Sequence, residues 1–459
     1  LDASDKICCA WFDECNKPQE LLVQSVEEFK QSHYAFVESR IKELDKVALK
    51  LRKGKLVNIN SSKDKTSSDI FAEQVFQSIT ELHNLHAITF MEKKVSIGLV
   101  RMANINPLVH IAKQLLMKSA PTNTCVYYCI YHGQFPLLQR TSIEQMLDIA
   151  LKRHDQCKWE EQSGIGELIN DSKEKHHTFV VLATSVAEVG RDHDYDWAVV
   201  EPSSQRSIIQ LAGRVQRHRK QVPSNANIHV LSQNLKGLNN RKLCFTRPGF
   251  ESKLLQYAAT NLNELDMEQE LVAIDAVPRI MESELSELNL TSDTPPKFKK
   301  FSQLEHVAQV IRLTGSSSEL NYAAHWWQQD VSWCGEMQRH QQFRKSRRSD
   351  DYCLTITREN KLKWQKKLQR VYPVQYKNTE DIQVITESIK FGERVQVWHQ
   401  FDLAKQVELL AQKVSKSEQE TLQIYTHVAL DVLDENTTQN WNYQSELGIY
   451  KLLRKDKFL

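Results

Sequence analysis

The sequence predicts an α/β fold built on a doubly wound parallel sheet, preceded by helices and followed by a helical linker and a small α+β C-terminal domain. Three observations carry this expectation. After Lys94 the runs "VSIGLV", "CVYYCIY", "TFVVLAT", "WAVVE" and "NIHVLS" are apolar nearly throughout. Amphipathic stretches such as "PLVHIAKQLLMK", "SIEQMLDIALKR" and "SIIQLAGRVQR" alternate with them. Strands lacking polar alternation belong to a sheet covered on both faces, and helices between them serve as parallel crossovers. Thirdly, the texture changes on both sides of this region, which marks it off as a unit.

In chain order, "LLVQSVEEFKQSHYAFVESRIKELDKVALKLRK" and "IFAEQVFQSITELHNLH" repeat their apolar residues at helical spacing, parted by the polar "NINSSKDKTSSD". Residues 1–90 are therefore expected to be a helical lead-in and 91–235 the doubly wound domain. Residues 236–320, with turn signals at "RPGF" and "TPPKF" around an acidic helical segment, read as a linker. Residues 321–459 read as an accessory domain, helical early, with strand-like "VQVWH" and "IYTHVALDVL" late.

Composition narrows the function. A chain of 459 residues fits about three domains. Its net charge of +2 excludes a protein that coats nucleic acid through charge alone, so any such contact must be local. Nine cysteines, Cys8, Cys9, Cys125 and Cys129 among them, sit mostly in apolar runs without CxxC pairing, which predicts buried thiols rather than a zinc site or a disulfide framework. No apolar run reaches the roughly 18 residues of a membrane helix, and a cytoplasmic protein with no membrane partner is expected. The chain starts at Leu1 and is expected to be a piece of something longer.

Ligands of open parallel sheets bind at the carboxyl ends of the strands. After "VSIGLV" come Arg101 and Asn104, with Asn106 as expected cap and Pro107 as first residue of the next helix, a cradle suited to phosphate. After "CVYYCIY" come His132 and Arg140. After "TFVVLAT" the chain runs into Thr184, Ser185, Glu188 and Gly190, where a hydroxyl and a glycine permit close backbone approach to phosphates. Asp192, Asp194 and Asp196 follow; by count they could hold a metal, but Asp194 and Asp196 read as solvent-facing strand ends, and no metal site is predicted. In "SIIQLAGRVQRHRK", Arg214 and Arg217 stand three apart behind Gln210 on one expected helix face. Gly213 is read as letting that helix approach the sheet. Two fixed guanidinium groups suit a polyphosphate with developing charge. "ICCAWFDEC", with Asp13 and Glu14, and the pair His154-Asp155 tempt as a magnesium-binding strand and a nuclease motif, but the context of each argues against it. Trp326, Trp327 and Trp333 before Arg339, Arg344, Lys345, Arg347 and Arg348 form a second nucleic-acid candidate.

"VLATSVAEVGRDHDYDW" followed by "SIIQLAGRVQRHR" resembles the last two motifs of superfamily-two helicases, in their second RecA-like domain. Together with "GLVRMANINPLV", "YHGQFPLLQRTSIEQMLD", "CFTRPGFES" and "QQFRKSRRSDD", the sequence resembles the CRISPR-associated helicase-nuclease of type I systems, most like the type I-F form that is fused to an adaptation protein. The resemblance implies the C-terminal part of an ATP-dependent enzyme that unwinds and degrades foreign DNA. It further implies that Gln210, Arg214 and Arg217 face ATP, that Gly190 and Asp192 line the same cleft, and that Thr184, Asn104, Arg101, His132 and Arg140 meet single-stranded DNA. ATP and Mg2+ would be held mainly by a first RecA-like domain, since no G-x-x-x-x-G-K-[ST] occurs here, and the nuclease metal would lie outside this chain. Alone, the chain is expected to be inactive. Leu211 stands where these helicases often carry Arg. The implied partners are an RNA-guided surveillance complex, the CRISPR integration protein and a viral inhibitor. Two other functions remain open: a docking module without catalysis of its own, and half of an unrelated RNA helicase.

Overall fold

A computed structural model describes residues 7–12, 18–47, 50–60, 62, 64–154, 164–219, 221–280, 297–314, 348–357, 361–432 and 440–452. Its elements begin with a hairpin, β1 (Ile7–Trp11) and β2 (Gln19–Val23), and helix α1 (Val26–Val47). There follow β3 (Gly54–Val57), α2 (Ser67–His86), β4 (Ile88–Phe90), β5 (Lys93–Arg101), α3 (Ile105–Met117), β6 (Thr124–Tyr131) and α4 (Leu137–Leu151). Then come α5 (Ile165–Asn170), β7 (His176–Ala183), β8 (Trp197–Val200), α6 (Gln205–Ala212) and β9 (Ile228–Leu231).

An eight-stranded sheet forms the centre, in the order β16-β6-β7-β5-β8-β9-β3 with β4 alongside β5, where β16 is Val395–Val397. All its pairings are parallel except β4 with β5. β6 is buried at every position, β5 at all but its first two residues and β7 at all but its first, as apolar strands between two helix layers must be. This is the RecA-like α/β fold. Gly98 in the middle of β5 makes room for Trp197, whose ring lies where a Cβ would stand, 2.2 Å away. Thr66 starts α2 with a reciprocal capping box to Asp69.

The sheet draws on more of the chain than 91–235. β3 enters from the lead-in and extends the β9 side, while β16 enters from the accessory region and covers the β6 edge. Both satisfy edge N–H and C=O groups that the five expected strands alone would leave unpaired. The lead-in also contains the β1-β2 hairpin, so it is not all helical. Cys125 and Cys129 are buried thiols as expected, but Cys8 is exposed.

Two short strands, β10 (Gln256–Tyr257) and β11 (Lys297–Phe298), and helix α7 (Phe301–Thr314) pack beside α6. Beyond lie β12 (Ser349–Ile356), β13 (Leu362–Lys367), β14 (Tyr376–Asn378), β15 (Ile382–Val384), α8 (Leu403–Val414), α9 (Glu418–Tyr425), β17 (Val428–Asp431), β18 (Trp441–Gln444) and β19 (Gly448–Tyr450). These make a four-stranded and a three-stranded sheet around a second core containing Tyr352, Leu354, Trp364, Trp441 and Tyr443. Asp13, Glu14, Asp155 and the Trp326–Arg347 stretch lie outside the described residues.

Candidate nucleotide-facing site

α6 begins where Ser204 Oγ accepts the N–H of Ser207, and where the Gln205 N–H donates to the buried carboxylate of Glu305 on α7 at 2.6 Å. It ends at Ala212. Gly213 closes the last turn by donating to the Ile209 carbonyl, and a Cβ there would meet carbonyls of its own turn rather than the sheet. The expected role of Gly213 in close helix–sheet approach is thus corrected. Beyond it the backbone pairs with Tyr195: its N–H donates to Arg214 O at 2.8 Å, and the Gln216 N–H donates to Tyr195 O at 3.1 Å. Arg214 and Arg217 therefore stand on the exit from α6, not on a helix face. Tyr195 captures that backbone, which is why helical spacing in the sequence overran the helix.

This exit lies against the turn after β7. Arg214 donates from Nε and Nη2 to the carbonyl of Glu188, at 3.1 and 2.7 Å, and from Nη1 to the carbonyl of Arg191. Gly190, between those carbonyls, has φ of +71°, a left-handed conformation natural to glycine, and faces open space. Arg217 donates from Nε to Asp192 at 2.6 Å, and its side chain stays 42% exposed. Asp192 also accepts from His218 at 3.0 Å, and His218, Arg217 and His154 together hold its carboxyl well below the usual range. The structure thus brings Arg214, Arg217, Gly190 and Asp192 together. Gln210 stands exposed on the last turn of α6.

Asp194 and Asp196 depart from expectation, for both are fully buried. Arg219 grips Asp194 at 2.7 Å and Asp196 at 2.5 Å, and Arg153 adds a contact to Asp196 at 2.9 Å. Arg153 and Arg219 keep the Asp196 carboxyl below its ordinary range despite burial. These ion pairs staple the α6 exit to the start of β8. Among the described residues, His154, Asp192 and His218 have ligand atoms within 4.8 Å of one another. Their chemistry does not fit a metal: His218 Nδ1 accepts the Arg153 N–H at 3.2 Å, which leaves its proton on Nε2, the nitrogen facing Asp192.

The residues expected at the DNA strand gather at one sheet edge, since Arg101, Tyr131 and Ala183 are in register across β5, β6 and β7. Two of them, Arg101 and His132, are engaged inside the protein. Arg101 is fully buried and donates from Nε to Glu188 at 2.6 Å, from Nη1 to Ser203 Oγ at 2.7 Å and to the Glu201 carbonyl at 3.1 Å. His132 is fully buried, accepts the Gln134 N–H and donates to Leu447 O at 2.9 Å, and burial pushes its pKa down to about 4. Neither ring nor guanidinium reaches solvent, so direct strand contact by Arg101 and His132 is corrected to internal anchoring. Arg140 lies half-buried beside Glu144, 3.8 Å away. Thr184 is 6% exposed, at the carboxyl end of β7. Asn104, not Asn106, is the N-cap of α3, and Asn106 instead accepts the Lys451 N–H at 2.9 Å. Glu188 stands out in the sequence, but its pairing with Arg101 does not, since that partner lies 87 residues away.

Comparison with known proteins gives the following relatives. The C-terminal family of the CRISPR-associated nuclease/helicase Cas3 matches residues 94–220. The Cas3 nuclease/helicase of subtype I-F/YPEST from Pectobacterium atrosepticum is 42% identical over 366 residues, covering 76% of this chain and 32% of that protein. Its counterpart from Pseudomonas aeruginosa is 32% identical over 458 residues, covering 97% of this chain and 40% of that protein. The chain thus spans 32% and 40% of the length of these two relatives. Among solved structures, the crystal structure of T. fusca Cas3-ATP aligns with a TM-score of 0.27 and 17% identity, over 40% of this chain and 18% of that one. Its RecA-like sheet carries the matched family region, and along nearly its whole length the chain is similar to Cas3 of the I-F/YPEST form, corresponding to a part of that protein.

Proposed function

We propose that this chain forms the arginine-bearing wall of an ATP-driven motor that moves along single-stranded DNA within a Cas3-type helicase-nuclease. One observation carries the reading: Arg214 and Arg217, the two motif arginines, leave α6 directly against the Gly190–Asp192 turn. Three of the five N–H donors of Arg214 are spent on two carbonyls, which fixes the plane of its guanidinium while leaving donors for an incoming anion. Arg217 is held by one exposed carboxylate and a long 3.5 Å contact to the Gly213 carbonyl, weak partners that a phosphate can displace. When bound, ATP supplies the phosphoryl group whose transfer drives the cycle. Arg214 and Arg217 stabilise charge there, and Gly190 keeps the turn clear of side-chain bulk.

ATP and Mg2+ are assigned mainly to a separate RecA-like wall, and the nuclease metal to another part of the whole protein. Thr184, Asn104 and Arg140 remain assigned to the DNA strand. The surveillance complex, the integration protein and a viral inhibitor are its proposed partners, and the cytoplasm its proposed location. The test is ATP turnover by the full-length protein in the presence of single-stranded DNA. Arg214→Ala should lower kcat by a factor on the order of 10³, as loss of an arginine finger does. Turnover that persists in Arg214→Ala and Arg217→Ala would leave docking as the better account, and stimulation by RNA rather than DNA would favour an RNA helicase.

A further inference from the structure

The contacts of Arg101, Glu188 and Arg214 form a closed ring. Arg101, at the end of β5, donates to the Glu188 carboxylate at 2.6 Å, and both side chains are essentially inaccessible, at 0% and 2%. The same Arg101 donates to Ser203 Oγ at 2.7 Å, immediately before the Ser204 cap of α6. α6 then delivers Arg214, which returns to the main-chain carbonyl of Glu188 through Nε and Nη2. One residue thus holds Arg101 with its side chain and Arg214 with its backbone.

We infer that Glu188 is a positioning residue for Arg214, with Arg101 as its anchor. This rests on the reading of Arg214 as an arginine finger. A buried ion pair is a poor source of net stability, because the lost hydration of both ions offsets their attraction, and apolar residues of equal volume would serve the core as well. What an ion pair adds is direction. The Glu188 carboxylate sets the height and tilt of the 188–191 turn relative to β5, and the turn's carbonyls set the plane of the Arg214 fork. Arg101 acts from inside the protein, at the very strand end where the DNA strand is proposed to pass, so a displacement of that edge reaches Arg214 through two hydrogen-bonded links.

The test uses Glu188→Gln, which keeps the shape and removes the charge that holds Arg101, together with Arg214→Lys and the double variant in the full-length protein. Turnover is measured against ATP and single-stranded DNA concentration. For a misplaced catalytic group, Glu188→Gln should lower kcat about tenfold to a hundredfold, with KM for ATP and DNA affinity within about twofold. In the Arg214→Lys background, Glu188→Gln should add little further loss, since both act through one guanidinium. Amide exchange in this chain supplies a readout independent of turnover: residues 185–192 should exchange faster in Glu188→Gln while β6 and β7 stay protected. Should Glu188→Gln unfold, Glu188→Asp, which keeps the charge on a shorter arm, bears the same comparison. Wild-type kcat in Glu188→Gln, fully multiplicative losses in the double variant, or unchanged exchange would overturn the proposal. Wild-type turnover in Arg214→Lys would instead sink the finger reading, and faster exchange would still locate the anchor of the turn.

Discussion

Asp192 takes hydrogen bonds from Arg217, His218 and His154 on one carboxylate that remains 46% exposed. Its carboxyl is held below the ordinary value, so its contribution is present above the unfolded pKa and is lost only as pH falls through the lower folded value. Between pH 5 and 8 this group should therefore contribute no pH dependence. Because the pair is exposed, Asp192→Asn should change the free energy of urea unfolding by less than about 1 kcal/mol. A larger loss would mean the pair is structural rather than a displaceable partner of Arg217. His132 works in the opposite setting. Burial lowers its pKa to about 4, so the native state prefers it neutral, and that stability is full above the unfolded value and erodes as pH falls toward the folded one. Replacing it with Gln, which preserves a donor for Leu447 O, should reduce the difference in unfolding free energy between pH 7 and pH 5 by about 1–2 kcal/mol. An unchanged difference would contradict the assignment of His132 as a buried neutral anchor.

At the scale of elements, β5 through β9 were legible because continuous apolar runs of four to nine residues, separated by amphipathic helices, admit few other folds. β16 was legible as strand-like within "VQVWH" but not as part of this sheet, and β3, with only Leu56 and Val57 apolar, was not legible as a strand, since neither carries a signal for an edge pairing with a sequence-distant partner. The end of α6 was hidden for another reason: helical spacing continues into Val215, but Tyr195 captures that backbone. Arg214, Arg217, Gly190 and Asp192 were readable as local motifs. The anchoring of Arg101 and His132 was not, because their partners lie 87 and 315 residues away. Two substitutions probe these elements. Gly98→Ala forces a Cβ into the Trp197 ring and should destabilise the sheet by about 2 kcal/mol or more, seen as a lowered thermal midpoint. Ser204→Ala removes the α6 cap and should cost about 1 kcal/mol in urea unfolding. A Gly98→Ala chain as stable as wild type would mean that Trp197 does not pack across β5.

Across the whole molecule, the two cores are joined at the sheet edge rather than by a loose tether. β16 pairs with β6, Lys113 meets the Tyr450 hydroxyl at 2.8 Å, and Gln139 donates to the Ser445 carbonyl at 2.5 Å. The β18–β19 turn thereby closes over the carboxyl ends of the strands, where Gly448 lies so near His132 that a Cβ would come within 2.8 Å. The accessory region thus forms part of the surface beside which the DNA strand is proposed to run. On the proposed nucleotide side, the fold presents arginines and an open turn, while no G-x-x-x-x-G-K-[ST] occurs in the sequence to face them. This chain is accordingly proposed to supply one wall of a shared site. ATP hydrolysis by the chain alone, with and without single-stranded DNA and beside an Arg214→Ala control, tests it most directly. No turnover is expected in any sample; DNA-stimulated turnover that Arg214→Ala abolishes would show instead that the chain holds a complete site.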